Sequence, residues 1–424
     1  LWTVQHERNC NTGTPEYDKQ AAERRGEQVR DCQAFMSKAR PTVMHMVQQF
    51  QMKQAAEADK RTSIAKTGVL DTVSMINYRW SEDIFVKNEV HADGKNHGIV
   101  MFVDWSGSMC GILQDTVEQM LVLTEFCQKA GIPFDVYAFS SNTYVPNPKG
   151  YTRYSEEYRD LCENLPERPQ FTSNREDNLS PHQFQLYHYL SSDMNNRQYK
   201  HAILNLWHTC LGASGYGGYT CPECLQMGCT PLNECIIAGL EIIPEFQRRH
   251  GVQIVNAVFL TDGEGHGMGL RGYSTYGKTV SVLRDQKTQR TYRTGSGHYG
   301  AETDVYLRLL KDRTGCNTIG IRLNDSKSIK NMRWTWWSDG TESSDGAFEQ
   351  ACSSYRKDNY CVIPSQGYDG YFCVKGTVSV EFDALEDLPE EASFTRLKNA
   401  FIKGNTSKKS SRVIANRLID IIAA

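Results

Sequence analysis

The chain has 424 residues, which is enough for one large domain with additions or for two to three ordinary domains around a sizeable core. Its 47 lysine and arginine residues nearly balance its 50 aspartate and glutamate residues, and the formal net charge is -3 at pH 7. This balance argues against a nucleic-acid coat or an anionic membrane surface as the partner, because both require a surplus of positive charge.

The 14 cysteines are spread from Cys10 to Cys373, mostly singly and often beside apolar residues. This distribution is typical of reduced, buried thiols in a cytosolic protein, although an even count leaves disulfide pairing open. No apolar stretch approaches the roughly 18 residues that a membrane-crossing helix needs. The first residues show no basic-then-apolar signal pattern. We therefore expect a soluble, cytoplasmic protein with no membrane partner.

Residues 1–95 are predicted to form an N-terminal arm and a helical extension. Residues 1 to about 20 are polar and rich in turn formers, which favours a poorly ordered arm. From 21 to about 58, apolar residues recur at spacings of three and four, as in a helix, and Pro41 predicts a kink or a break into two helices. A short segment, 66–71, leads to another helix-like stretch that ends at Trp80.

A strand–helix–strand unit follows. Residues 97–103 form a nearly continuous apolar run, which is typical of a central strand covered on both faces. A helical stripe over 112–126 ends before Gly131 and Pro133, and a second strand is predicted at 134–139. Such a unit predicts an α/β fold with a doubly wound, mostly parallel sheet.

The rest of the chain continues this alternation with insertions. Residues 141–180 are polar and predict a long surface insertion, which belongs to a larger inserted region, 141–228, that is polar, helical and cysteine-rich in turn. The predicted elements are helices at 182–211, 231–246 and 302–313, strands at 253–260, 317–322, 360–364 and 377–382, and a hairpin over 279–293 within 270–300. The main domain would thus span 96–383. Residues 384–424 would form a tail with a docking helix at 411–422.

Three polar loops stand where a doubly wound sheet binds its ligand, beyond the carboxyl ends of its strands. The loop after strand 97–103 carries Asp104, Ser106 and Ser108. Thr230 opens the helix from 231, and Asp262 follows strand 253–260. Two carboxylates and three hydroxyls are hard oxygen ligands, and they suit Mg²⁺ or a related divalent cation such as Mn²⁺ or Ca²⁺.

These residues resemble a known family. Asp104, Ser106, Ser108, Thr230 and Asp262 stand in the order and settings of the metal-ion-dependent adhesion site (MIDAS) of von Willebrand factor A (vWA) domains. Segments 66–71, 97–109 and 230–234 further resemble the CobT-like branch (the C-terminal type of the cobaltochelatase subunit CobT), including forms encoded by bacteriophages. The resemblance covers roughly residues 60–424 and implies a Rossmann-like vWA sheet.

The resemblance also implies roles. Ser106, Ser108 and Thr230 would supply hydroxyl oxygens to the metal, and Asp104 and Asp262 would bind it or hold its waters. An acidic residue of a partner protein would complete the shell. CobT-like proteins work beside AAA+ ATPases of the MoxR or CobS type, so we expect a non-catalytic, metal-dependent adaptor, in the host cytoplasm if a phage encodes it.

Two other functions remain open at this point. The chain could be a cobalt or magnesium chelatase subunit proper, or a structural, virion-associated vWA protein. A hydrolase that uses Ser106 or Ser108 as nucleophile is disfavoured, because Asp104 stands where a nucleophile elbow requires glycine. No specific nucleic-acid partner is expected.

A second metal site is conceivable in the cysteine-rich segment. Cys221 and Cys224 have the Cys-x-x-Cys spacing of zinc ligands, and Cys229 with either Cys210 or His208 could complete a structural Cys₄ or Cys₃His Zn²⁺ site. The alternative is a loop with buried free thiols.

Two further motifs admit ordinary interpretations. The glycine-rich segment 263–269 lacks the Lys-Ser/Thr ending of a phosphate-binding loop, which favours a flexible rim beside the metal site. Trp334, Trp336 and Trp337 are expected to pack in the core or in a lid.

Overall fold

The computed structural model describes residues 15–61, 63–70, 85–90, 96–141, 155–157, 179, 184–214, 225–263, 265, 268, 272–275, 278–293, 301–324, 342–358, 360–363, 365 and 367–375. In these ranges the helices are α1 (Pro15–Arg61), α2 (Leu113–Ala130), α3 (Asn196–Ala213), α4 (Leu232–His250), α5 (Ala301–Thr314) and α6 (Glu342–Asp358). The strands are β1 (Ser63–Leu70), β2 (Phe85–Val90), β3 (His97–Asp104), β4 (Phe134–Ser140), β5 (Gln185–Ser191), β6 (Ile254–Thr261), β7 (Gly272–Thr275), β8 (Lys278–Arg284), β9 (Thr291–Arg293), β10 (Asn317–Asn324), β11 (Tyr360–Val362) and β12 (Gly370–Lys375).

A seven-stranded sheet forms the centre of the molecule, in the order β11-β12-β10-β6-β3-β4-β5. The five inner strands run parallel to one another, whereas β11 and β5 pair antiparallel at the two edges. The prediction of an α/β fold with a mostly parallel sheet is therefore confirmed.

Both faces of this sheet are covered by helices, as a parallel sheet requires. On β3, Ile99, Met101 and Val103 contribute to the apolar cluster on one face, which also contains side chains of α1, α2 and α3. Val100 and Phe102 contribute to the cluster on the other face, with side chains of α4, α5 and α6. Since successive strand side chains point to opposite faces, the unbroken apolar run at 97–103 is explained by burial on both sides.

Helix α1 differs from its prediction. It begins at Pro15, within the expected disordered arm, and continues through Pro41 to Arg61 as one helix. Ala39 and Val43, on either side of the proline, are both buried in the cluster shared with α2 and α3. Packing of both halves therefore holds the helix together although Pro41 cannot donate its backbone hydrogen bond.

The predicted helix over 182–211 is wrong in its first part. Residues Gln185–Ser191 form β5, antiparallel to β4, and α3 begins only at Asn196. Tyr187 and Tyr189 lie two apart, as strand neighbours on one face do, and their rings stack at 6.0 Å. Aromatic side chains fit the half-buried surface of an edge strand, which outweighs the helical spacing.

The remaining elements follow the prediction with local differences. The hairpin over 279–293 is confirmed as β8 and β9, and β7 extends it to three strands. Helix α6, strand β12 and the pairing of β1 with β2 were not predicted. The expected helical stretch up to Trp80, most of the 141–180 insertion, the strand at 377–382 and the docking helix at 411–422 lie outside the described residues. None of the helices in the described part of the chain has the length and apolar character that crossing a lipid bilayer requires.

Candidate metal centre

The carboxyl ends of β3 and β6 place two of the predicted loops side by side. The two strands are parallel neighbours, and Val103 is in register with Leu260. Asp104, the last residue of β3, therefore stands beside Thr261, the last residue of β6, and Asp262 follows directly. The sheet brings together two carboxylates that are far apart in the sequence.

Asp104 is fully buried at this edge. Its Oδ2 accepts a hydrogen bond of 2.7 Å from the Thr261 hydroxyl, whereas its Oδ1 accepts no hydrogen bond of standard geometry. A buried carboxylate oxygen without a donor is unfavourable, because the desolvation of the charge is not compensated. The Asp104 carboxylate thus has one oxygen available for a ligand.

Two serine hydroxyls connect the first loop to Asp262. The Ser106 and Ser108 hydroxyl oxygens lie 3.0 Å apart, and the Ser108 hydroxyl donates to Asp262 Oδ1 over 2.9 Å. The chain turns into a short 3-10 helix at Gly107–Gly111, so Ser106 lies just before this helix and Ser108 in its first turn. The structure therefore brings Ser106, Ser108 and Asp262 together, as predicted.

Thr230 reaches the same place through backbone contacts between loops. Gly228 forms an isolated parallel bridge with Ser106, and the Gly107 amide donates to the Gly228 carbonyl over 2.9 Å. Two residues later, the Thr230 hydroxyl lies 3.7 Å from the position that a side chain on Gly263 would occupy. Thr230 is therefore next to the turn that carries Asp262.

Electrostatics at the site disfavour two ionised carboxylates without a cation. Burial raises the pKa of Asp104 from 3.8 to about 7; the hydrogen bond from Thr261 and weaker ones from the side chain and backbone of Ser106 oppose this rise, and the nearby charge of Asp262 adds to it. Burial also raises the pKa of Asp262, against the hydrogen bond from Ser108 and the positive charge of Arg322. A bound cation would offset the causes of the raised pKa values, which are desolvation at both carboxyl groups and, at Asp104, the like charge of the neighbouring carboxylate.

The donor set fits a small divalent cation. Asp104 and Asp262 supply carboxylate oxygens, and Ser106, Ser108 and Thr230 supply hydroxyl oxygens beside them. Oxygen ligands from one or two carboxylates, with remaining positions left to water, are what Mg²⁺ prefers in proteins. The unsatisfied Oδ1 of Asp104 is the observation in the protein itself that agrees with such a ligand.

Several residues that shape the site were not assigned a role from the sequence. Thr261 orients Asp104, and Arg322 lies in register with Thr261 on β10. Trp105, between Asp104 and Ser106, is buried and donates from Nε1 to the Leu225 carbonyl over 2.8 Å. The signal for Thr261 and Arg322 was their place at the ends of predicted strands, but only the order of strands in the sheet makes them neighbours.

The structure describes two of the four cysteines of the predicted zinc site. Cys210 is buried on α3, and burial raises the pKa of its thiol to about 12. Cys229 is exposed, and its amide donates to the Ser141 hydroxyl over 2.7 Å. Cys221 and Cys224 lie outside the described residues. Within the described ranges, no three His, Cys, Asp or Glu side chains are grouped as a metal site would need.

The glycine-rich segment is described only in part. Gly265 packs closely on α4, since a Cβ there would lie 2.7 Å from Asn233 Oδ1. A glycine at this position is therefore explained by close packing rather than by flexibility. Trp334, Trp336 and Trp337 lie outside the part of the chain that the structure describes.

Comparison with known proteins adds little. No family model matches the chain, and no curated protein matches it. Among solved structures, the chain is similar to the pilus adhesin SpaC from Lactobacillus rhamnosus GG in its open conformation. The identity is 15%, the TM-score is 0.31, and the match covers 63% of this chain but only 30% of the adhesin. A likeness at this level carries no argument about fold family or function.

Proposed function

We propose that this chain is a vWA-type protein that binds a divalent cation, Mg²⁺ in the first place, and uses it to bind an acidic residue of a partner protein. Asp104, Ser106, Ser108, Thr230 and Asp262 would form the cation site. The proposal rests on their convergence at the carboxyl edge of β3 and β6, and above all on the buried Asp104 carboxylate whose Oδ1 has no hydrogen-bond donor.

Neighbouring residues orient the proposed cation ligands. Thr261 holds Asp104 through Oδ2 and leaves Oδ1 directed elsewhere, and Ser108 holds Asp262 through Oδ1. The bridge between Ser106 and Gly228 fixes the first loop relative to the loop of Thr230. A bound cation would supply an open coordination position for a carboxylate oxygen of the partner. Nothing in this arrangement requires a nucleophile, so we assign it to binding.

The partner class follows from the resemblance at 66–71, 97–109 and 230–234. We propose that the chain is the adaptor of an AAA+ ATPase of the MoxR or CobS type in a chelatase-like or remodelling machine. An acidic side chain on the motor or on its client would be the group bound at the site.

Calorimetric titration of Mg²⁺ into the full-length protein tests the cation site. We expect binding to wild-type protein and its loss in Asp104→Asn. Asp135→Asn is the matched control, because Asp135 is also a fully buried carboxylate, near the opposite end of the neighbouring strand β4. Equal Mg²⁺ affinity in wild type and Asp104→Asn would refute the site.

Capture of partners from native lysate tests the proposal that the protein binds a partner through the cation. We expect proteins bound by the wild type to be lost both with EDTA and with Asp104→Asn, and an AAA+ ATPase to be among them. The same set of captured proteins in all three conditions would contradict metal-dependent binding, whatever the calorimetric result.

A further inference from the structure

Two cysteines face each other at the edge of the central sheet farthest from β5. Cys361 on β11 is the register partner of Cys373 on β12, and the two strands are antiparallel. Both side chains are buried, and their thiols hydrogen-bond to each other. Neither residue belongs to the candidate metal centre or to the predicted zinc site.

The backbone pairing gives the two residues a separation that a covalent bond can span. Ile363 donates to the Tyr371 carbonyl over 2.8 Å, so these two form a hydrogen-bonded pair. Pair types alternate along an antiparallel ladder, and Cys361 and Cys373 are therefore also a hydrogen-bonded pair, with Cα atoms about 5.5 Å apart. Disulfides join Cα atoms separated by about 4.4–6.8 Å, so the backbone spacing suits the bond. The Cβ atoms of a hydrogen-bonded pair, about 5.5 Å apart, must approach each other by about 1 Å as the bond forms, and local opening of β11 permits this shift.

Access to the pair depends on β11. This strand has three residues and pairs only with β12 in the described sheet. Its middle residue is Cys361, and Val362 beside it is 58% exposed. Cys361 also lies in the apolar cluster with Phe348 and Cys352 of α6. Because β11 is short and is hydrogen-bonded on one side only, it can open locally at a lower free energy than global unfolding requires.

We propose that Cys361 and Cys373 are a redox-active pair that forms a cross-strand disulfide, which fastens β11 to the sheet. The oxidant is a low-molecular-weight disulfide. One cysteine thiolate attacks it, forms a mixed disulfide and releases one small thiol; the second cysteine thiolate then attacks the mixed disulfide and releases the other small thiol. Each cysteine proton goes to a released thiolate, so two protein thiols are oxidised and one small disulfide is reduced to two thiols.

Burial sets the rate of this exchange. Cys361 donates to or accepts from Cys373, and this contact, together with burial, holds the pKa of Cys361 far above its ordinary range. Thiolate is the reacting species, so the closed edge is slow to react. Exchange should therefore accelerate in urea below the unfolding transition, where β11 opens while the remaining sheet persists.

The test is to incubate the full-length protein with oxidised glutathione and EDTA, with and without such urea, then block free thiols and map peptides without reduction. We expect a linked peptide pair containing Cys361 and Cys373 that separates on reduction. In the oxidised protein, amide hydrogen exchange of the β11 backbone should slow by about tenfold to a hundredfold, because a short closed loop restricts the open state.

Three variants control this result. Cys361→Ser and Cys373→Ser should each abolish the link, and Cys316→Ser, a buried cysteine on the approach to β10, should retain it. The linked peptide is sought in the wild-type protein itself, so the main result does not depend on whether a variant folds. Free thiols at both positions after incubation in urea, or a link from Cys361 to Cys352 on α6, would overturn the proposal. The assay excludes metal, so neither outcome bears on the cation site.

Discussion

The surroundings of Asp104 oppose ionisation of its carboxyl group. Its pKa in the folded, metal-free protein is about 7, against an ordinary value of 3.8. The folded state therefore holds a proton that the unfolded chain releases over this interval, and stability falls as the pH rises from about 4 to 7. Three pKa units correspond to about 4 kcal/mol.

Asp104→Asn should consequently stabilise the protein in EDTA. We expect a gain in the free energy of unfolding of about 2–4 kcal/mol at pH 8 and little change near pH 4, measured by urea denaturation. With Mg²⁺ present, the wild type should gain stability and the variant should not. A variant less stable than the wild type at pH 8 in EDTA would show that Asp104 is paired in a way that the metal-free structure lacks.

Thr261 is the second residue on which the site depends. Thr261→Val keeps the shape of the side chain but removes the donor to Asp104 Oδ2. We expect Mg²⁺ affinity to fall about tenfold or more, as for other residues that orient metal ligands. Thr318→Val is the matched control, since Thr318 is a buried threonine whose hydroxyl donates to the Gly367 carbonyl. A similar loss in both variants would indicate a general effect on folding.

The meeting of the five oxygen-bearing residues could be predicted from the sequence, because each follows a strand or opens a helix and the carboxyl ends of parallel strands converge. The sequence was not sufficient for Thr261 and Arg322. Their contribution depends on β6 lying between β3 and β10, and strand order is a property of the tertiary fold. The orphaned Oδ1 of Asp104 likewise depends on which atoms surround it in three dimensions.

At the scale of elements, a charged cluster joins β4, β5 and α4 near the amino end of β4, at the opposite end of the strands from the candidate metal centre. Asp135 on β4 is fully buried and pairs with His188 on β5 and with Arg249 on α4. Burial alone would raise the pKa of Asp135, but its hydrogen bonds with His188 and Ser191 and the charges of His188 and Arg249 lower it. The carboxylate is thus ionised in the fold.

Asp135→Asn should weaken this junction. We expect a loss of about 2 kcal/mol in the free energy of unfolding at pH 7, discounted because Arg249 is partly exposed. The lowered pKa of Asp135 stabilises the folded state at pH values above the pKa of the unfolded state. This stabilisation is lost as the pH falls through the pKa of the folded state, so the difference in stability between wild type and variant should shrink near pH 3. Urea denaturation at both pH values measures this difference in the free energy of unfolding. An equal loss of stability at both pH values would mean that the substitution acts through packing rather than through the charge of Asp135.

Elements with a strong and unbroken pattern were predicted well, among them β3, α2, β4, α4, β6 and β10. The errors have physical causes. Pro41 removes one hydrogen bond, yet buried neighbours on both sides keep α1 continuous. The stretch 185–191 has helical spacing, yet its tyrosines lie on an edge strand. Helix α6 was missed because the sequence of Glu342–Asp358 is mostly polar; among its side chains that the structure describes, the buried ones are Phe348, Ala351, Cys352 and Tyr355.

At the scale of the whole molecule, the N-terminal helix belongs to the core of the main domain. Phe50 on α1 is buried and contacts Phe126 on α2 edge to face, with ring centroids 5.8 Å apart. Phe35 packs against Trp207 on α3 at 5.3 Å. A helix that shares its apolar cluster with the sheet is expected to unfold with it rather than before it.

Phe50→Ala tests this view. We expect a loss of about 3–5 kcal/mol in the free energy of unfolding, with one cooperative transition by circular dichroism and by tryptophan fluorescence. Met52→Ala, two residues away and 58% exposed, should change stability by less than about 0.5 kcal/mol. Two separate transitions in the Phe50 variant would mean that α1 is an independent unit.

The bridge between Ser106 and Gly228 affects how fast a cation can bind at the proposed site. Two backbone hydrogen bonds join loops that are more than a hundred residues apart in sequence. The Gly107 amide donates to the Gly228 carbonyl, and the Gly228 amide donates to the Trp105 carbonyl. Because backbone hydrogen bonds join these loops, a cation bound at the proposed site need not order them. Association should then be limited by loss of water from the ion rather than by rearrangement of the chain, and the two loops should exchange their amide hydrogens at similar rates before and after loading.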